Sequence, residues 1–183
     1  MAVVNPAASA IESLGASIVA EVDIGGAVPA LCARIARVLG DALTSDAFEA
    51  LFTGHDRSFV AWHDAVRGTI VNASVHQPAH RTPAHDHAEA WAVYGAYRGR
   101  TAFRTFDRGD DVAAGVAGLT LVDDRVIEPP EVTIILPGQV HENYNAGTSV
   151  AWNLVVRTRP LDACWRRSFD LATGAYRTMR RIP

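Results

Sequence analysis

Near residue 58 the hydrophobic pattern of this 183-residue chain changes period, and that change constrains the fold more than any other feature. Over residues 7–52 apolar side chains recur at three- and four-residue steps: Ile11, Leu14, Ile18 and Val22, then Leu31, Ile35, Val38 and Leu39. That spacing places them along one face of a helix. Gly25-Gly26 separates two helices, Pro29 suits a first helical turn and Gly40 a C-terminal cap, while Asp46 with Glu49 opens a short helix through Phe48 and Leu51. From about residue 58 the apolar runs become short or alternating and are separated by turn residues, which is the pattern of an all-β sandwich or barrel. Candidate strands cover residues 58–62, 69–77, 85–98, 100–106, 118–122, 125–128, 131–136, 140–145, 149–158 and a segment near 168–179. Asp110-Asp111, Asp123-Asp124, Pro129-Pro130 and Pro137-Gly138 read as turns. The expectation is one domain over residues 1–183, with a helical part over 1–56 packed on a β-barrel over 57–183.

Composition removes several function classes. All 17 basic residues are arginine, so a lysine Schiff base, a lysine general base and pyridoxal phosphate chemistry are excluded. The net charge is −3 and the arginines are scattered, which provides no electrostatic footprint for nucleic acid. Cys32 and Cys164 are far apart and form no C-x-x-C, so neither a disulfide framework nor a thiolate metal site is expected. The first positive charge is Arg34, which leaves no basic n-region for a secretory signal, and no apolar run is long enough to span a bilayer. A cytoplasmic protein acting on a small molecule, with no nucleic-acid or membrane partner, is the expectation, and both a monomer and a homodimer are compatible with it.

The chemistry concentrates in Pro83-Ala84-His85-Asp86-His87. On a strand, residues two apart face the same way, so His85 and His87 would present both imidazoles to one side. His141, just after the Pro137-Gly138 turn, falls where a neighbouring strand could bring a third. Two histidines on a strand can also be no more than solvated side chains; three neutral imidazoles converging would suit Fe(II), Zn, Cu, Ni or Mn and leave coordination positions open. Glu89 is two residues from His87, so it is either a fourth ligand or an acceptor that orients an imidazole N–H. His55, His63, His76 and His80 are expected in loops or at strand ends.

The H-x-H at His85 and His87, followed by Gly95 and Gly99, and the later Pro137, His141 and Asn145 in P-x(3)-H-x(3)-N spacing, resemble the two motifs of the cupin superfamily. The resemblance implies a double-stranded β-helix, the cupin jelly-roll barrel, preceded here by N-terminal helices. The glutamate ligand common in cupins would fall at Trp91 or Ala92, neither of which can bind metal. That loss, together with the Pro83–His87 run, makes the chain similar to the cysteine dioxygenase group of thiol dioxygenases, which includes the 3-mercaptopropionate enzymes. In that group three histidines hold Fe(II), and the thiol and O2 take the open positions.

Departures from the group are equally legible. The cysteine of its cysteine–tyrosine cross-link falls at Ala92, and its Ser-x-His-x-Tyr line falls at Ala151, Asn153 and Val155, or at Trp152, Leu154 and Val156 in the other register. Neither register supplies the histidine and tyrosine, which leaves Asn153, Tyr94, Tyr97 and Tyr144 as candidates for the vacant roles. A carboxylate substrate calls for an arginine fork. Arg167, with Arg166 as its alternate, stands at about the distance after His141 implied by the mercaptopropionate enzymes; the pair can equally form a solvated face against Asp162 or Asp170, and Arg157 and Arg81 are further candidates. The resulting expectation is an Fe(II)- and O2-dependent dioxygenase that converts a small carboxylate-bearing thiol to a sulfinate. A metal-dependent lyase, isomerase or hydrolase that makes no use of O2, and a non-catalytic ligand-binding cupin, are the alternatives.

Overall fold

The computed structural model describes residues 6–111, 116–158 and 166–179. Three helices come first: α1 (Pro6–Ile24), α2 (Val28–Ala42) and, after a 3-10 turn at Asp46–Phe48, α3 (Glu49–Phe52). Gly25 and Gly26 adopt positive φ between α1 and α2, and Pro29 sits in the first turn of α2. Gly40 does not end α2, which runs on to Ala42 with Leu43 as its cap; Gly40 keeps helical backbone and faces β7, where a Cβ added to it would lie 3.6 Å from Val132. No helix among the described residues is long and apolar enough to cross a membrane.

The described residues then form eleven strands: β1 (Phe59–Asp64), β2 (Thr69–His76), β3 (Ala84–His85), β4 (Ala92–Arg98), β5 (Thr101–Asp111), β6 (Val116–Ile127), β7 (Val132–Ile135), β8 (Val140–Asn145), β9 (Ala151–Arg157), β10 (Arg166–Phe169) and β11 (Tyr176–Met179). They form two antiparallel sheets, one ordered β1-β2-β9-β4-β7 and the other β11-β10-β3-β8-β5-β6. Two curled sheets facing one another with this crossed order are a jelly-roll barrel of the cupin type.

Three expected strand boundaries change. The run 85–98 is two strands, because β3 belongs to one sheet and β4 to the other. The chain changes sheets through a turn at which Ala90 N–H donates to the His87 carbonyl and Ala88 takes φ 52°. Asp123-Asp124 is no turn: both lie within β6, paired with Thr105 and Arg104 of β5 beside a bulge. Their charges are tolerated because that strand sits at the sheet edge, where outward side chains meet water. Asp110-Asp111 likewise continues β5, and the last segment is the β10–β11 hairpin.

The helices cover the outer face of the first sheet. Ile11, Leu14, Ile18, Ile35, Leu39 and Phe52 pack against Val71, Ala73 and Val75 of β2, Val93 of β4, and Trp152, Leu154 and Val156 of β9. Short helices such as these are marginal alone, and burying each large apolar side chain contributes ~1.5–3 kcal/mol. Gly95 lets this contact close, since a Cβ there would run into Leu43. Cys32 lies inside this layer, where burial pushes its thiol up to about 11 and makes it a poor thiolate source; Cys164 lies outside the described residues. A second cluster of Ala92, Tyr94, Ala96, Phe103, Ile127, Ile135 and Val155 fills part of the barrel interior.

Candidate metal centre

His85 is on β3 and His141 on β8, and the two are direct partners across that antiparallel pair. His87 lies just past β3, in the connection to β4, so the same-face argument for His85 and His87 applies to an extended segment that leaves its strand after His85. The three imidazoles nonetheless converge, with one ligand atom from each within 4.8 Å of the others. The Nε2 atoms of His85 and His87 are 3.2 Å apart. Two nitrogens bound to one ion at ~2.0–2.1 Å in octahedral or tetrahedral array are separated by about 2.8–3.4 Å, so the pair already stands at ligand spacing.

Tautomers agree with that role. His85 Nδ1 lies 2.8 Å from the Pro83 carbonyl and His141 Nδ1 3.5 Å from that of Gln139. A carbonyl contact requires a protonated nitrogen, which leaves Nε2 of each ring with the lone pair. His87 Nδ1 is buried and meets no acceptor among the described residues. Burial depresses the pKa of all three rings, and for His87 and His141 strongly, aided by the neighbouring histidines and by Arg157. Neutral imidazoles are the form that binds metal, so the donor set fits a borderline divalent ion such as Fe(II), Zn or Ni.

Asp86, between the two histidines, is the tie that holds the segment and was not singled out in the sequence. Its buried carboxylate accepts from the Arg167 N–H (2.9 Å) and the Ala88 N–H (3.2 Å) and pairs with Arg108 (3.2 Å). Just ahead of β3, Thr82 is tied to Asn143 of β8, whose N–H donates to Thr82 Oγ1 at 2.9 Å. Asn145, the last residue of the second motif, shapes the turn after β8: its Nδ2 donates to the His76 and Ser149 carbonyls and its Oδ1 accepts from Gly147 N–H.

A cavity of about 420 Å3 opens beside the histidines, lined by His85, Tyr94, Asn143, Arg157, Arg166 and Ser168 at one part of its wall. Strand alternation sorts the arginines. Arg166 and Ser168 face the cavity, whereas Arg167 lies between them on the other face of β10, its guanidinium over the Tyr176 ring at 5.3 Å. Arg81 also points elsewhere, pairing with Glu142 at 2.6 Å and lying over Tyr144. Asp162 lies outside the described residues, and the Asp170 carboxylate accepts from Ala172 and Thr173 N–H instead of meeting the pair.

The other candidates separate in the same way. Tyr94 lines the cavity with its hydroxyl 3.5 Å from His141 Nε2, and burial raises its pKa so that it keeps its proton. Asn153 is fully buried and exchanges hydrogen bonds with Thr101, with its Nδ2 donating at 3.0 Å. Tyr144 alternates away from His141, and Tyr97 stacks on Phe52 in the helical layer. Glu89 is exposed on the Ala88–Glu89 turn and does not join the three-histidine group. His76 and His80, expected at strand ends, both line the cavity; their spacing around Pro78 is the only sequence signal for this.

No protein-family model matches the sequence, and no curated protein matches it. Among solved structures the chain is similar to the protein BH2720 from Bacillus halodurans, with a TM-score of 0.51 and 14% identity over 61% of this chain and 77% of that one. It also resembles an oxalate oxidase (TM-score 0.42, 19% identity, 58% of this chain and 53% of that one) and the cupin domain of Drosophila melanogaster CENP-C (0.40, 14%, 48% and 59%). The chain thus spans about half the length of the oxalate oxidase. Identities this low speak to fold alone. The chain has a cupin-type jelly-roll barrel, and three histidines inside it could hold a metal ion.

Proposed function

We propose that this protein is a non-haem iron enzyme that oxidises a small carboxylate-bearing thiol to a sulfinate, R–SH + O2 → R–SO2− + H+. The observation that supports this reading is the meeting of two groups: an all-imidazole donor set with no carboxylate in it, whose His85 lines the cavity, and the cavity-lining arginines Arg157 and Arg166. Three neutral donors leave a divalent ion with its full charge, which favours an anionic ligand such as a thiolate. Fe(II), when bound, would supply the redox access to O2 that Zn(II) lacks.

The chain's own residues then have definable tasks. Arg157 and Arg166 bind the substrate carboxylate and so orient the sulfur toward the histidines, a positioning effect that confines the reacting groups. Arg157 is the more buried of the two and so the stronger anchor. The Tyr94 hydroxyl, protonated and close to His141, donates a hydrogen bond toward the oxygen that gains charge. It is the one member of the expected set Tyr94, Tyr144 and Asn153 that lines the cavity.

An oxygen electrode tests the reading. Protein loaded with Fe(II) should consume O2 on addition of 3-mercaptopropionate and yield one sulfinate per O2, and Zn(II)-loaded protein should not. Arg157→Ala should slow carboxylate thiols while leaving cysteamine, which has no carboxylate, unaffected. Equal turnover under nitrogen or with zinc would move the assignment to a lyase, isomerase or hydrolase in which the metal acts as a Lewis acid.

A further inference from the structure

The inner face of β2 carries Asn72, Ser74 and His76 at alternate positions, a stripe about 13 Å long. All three line the cavity, together with Ser58, His80 and Thr82. Asn72 pairs with Val155, whose other partner is Tyr94, so it stands level with the tyrosine beside the histidines. His76 pairs with Ala151, at the end of β9 opposite Arg157.

Polar groups inside a barrel are normally satisfied by neighbours, and on this stripe of β2 two atoms are not. Asn72 Oδ1 and His76 Nδ1 are buried with no hydrogen-bond partner among the described residues, although His76 is only 6% exposed. The His76 ring is held by stacking on His80 at 4.4 Å, which fixes its orientation without using its nitrogens. An unpaired buried polar atom costs about 1–3 kcal/mol, a cost removed when the Asn72 amide or the His76 ring turns toward a polar group in the cavity that both residues line. Burial and the neighbouring His80 hold the His76 pKa down to about 4, leaving a neutral ring with one donor and one acceptor at pH 7. No aspartate or glutamate is among the described residues that line the cavity, where two guanidinium groups already face inward, so an ammonium group would find no counter-charge.

We propose that Asn72, Ser74 and His76 form a second recognition site that hydrogen-bonds an uncharged polar group, an amide or a hydroxyl, at the far end of an anionic substrate. The inference rests on the reading of Arg157 and Arg166 as the anion's anchor, but it requires neither a thiol nor iron. Space supports it: a cavity of about 420 Å3 falls within the range that encloses whole small metabolites, and a three-carbon acid fills only part of it.

Three thiol-free carboxylates of similar length serve as probes: pentanoate, succinamate and 4-aminobutanoate, which end in a methyl, an amide and an ammonium. Calorimetric affinities on Zn(II)-loaded and on metal-stripped protein should place succinamate roughly 5–10-fold tighter than pentanoate, the worth of one or two net hydrogen bonds, and 4-aminobutanoate weakest. Asn72→Ala and His76→Phe should each remove most of the succinamate advantage while changing pentanoate affinity less than about 2-fold. Should His76→Phe not fold, as judged by circular dichroism and metal content, Asn72→Ala and Ser74→Ala carry the test. Equal binding of succinamate and pentanoate, equal losses for both in the variants, or a preference for 4-aminobutanoate would overturn the proposal. Failure of all three carboxylates to bind overturns it together with the arginine anchor. Absence of O2 uptake with thiols, with the succinamate preference intact, overturns only the thiol chemistry.

Discussion

The two faces of β2 and β9 have opposite fates on the same strands. Outward, Val71, Ala73 and Val75 of β2 and Trp152, Leu154 and Val156 of β9 are sealed beneath the helices. Inward, Asn72, Ser74 and His76 of β2 and Asn153 and Arg157 of β9 place polar groups in the barrel. The outer face follows what burial alone would select. The inner face does not: a fully apolar barrel would be cheaper, and the polar residues retained there converge with the three histidines and the cavity. The helical layer carries stability and the barrel interior holds the candidate metal site, and substitutions on the two faces should therefore fail in different ways.

The largest expected effect is on metal content. His85→Ala, His87→Ala or His141→Ala should each drop bound metal from about one ion per chain to near none. Circular dichroism of the metal-stripped variants should match that of the stripped parent, because the core on the outer face does not involve them. Retention of full metal content by any one of the three would remove that residue from the ligand set.

Leu154→Ala should do the reverse, costing ~2–5 kcal/mol in urea unfolding while the folded protein keeps its metal. Leu154 is fully buried beneath the helices, and its truncation leaves a cavity there. Loss of metal at denaturant concentrations where the variant is still folded would contradict the division of labour between the faces.

A smaller effect lies in the pH dependence of the metal-stripped protein. The unfolded chain protonates His76 near pH 6.5, whereas the folded protein resists protonation there until about pH 4. Between those values the unfolded state binds more protons, so this contribution is complete above about pH 6.5 and falls as the pH drops toward 4. The buried site is worth ~3 kcal/mol over that window. His85, His87 and His141 shift in the same direction, so the readout is a difference: His76→Gln should flatten the fall in stability from pH 7 to 4 relative to the parent. Parallel curves for the two proteins would show that His76 is not desolvated.

The smallest effect belongs to neither face. Arg100 and Glu128 form an exposed ion pair at 2.7 Å, and Arg100→Ala should change stability by less than about 1 kcal/mol, with the difference shrinking in 1 M salt. Thermal unfolding at low and high salt checks it.

Much of this was legible in the sequence because it depends on local spacing. The helical steps of Ile11, Leu14 and Ile18, the break at Gly25-Gly26 and the turn at Pro137-Gly138 each reflect backbone preferences over a few residues, and all appear in the fold. Where boundaries moved, distant contacts had outweighed local signals. Gly40 stays helical because α2 packs on β7, and Asp123-Asp124 stays extended because β5 pairs with it. Residues 85–98 divide because their halves join different sheets.

At the candidate site, the sequence alone determined the short-range part: two histidines two residues apart, a third on a later strand, and a barrel to hold them. Only the tertiary structure decided which remaining groups share their cavity. Arg166 and Arg167 are chemically identical neighbours, and the register of β10 against β3 and β11 sends the first inward and the second over Tyr176. A slip of one residue would exchange them. His76 reaches the cavity because the register of β2 against β9 puts it on the same inner face as Asn72 and Ser74. Periodicity is written by each residue's own backbone and near neighbours, but register and closure come from packing across the whole barrel, so no short window of sequence contains them.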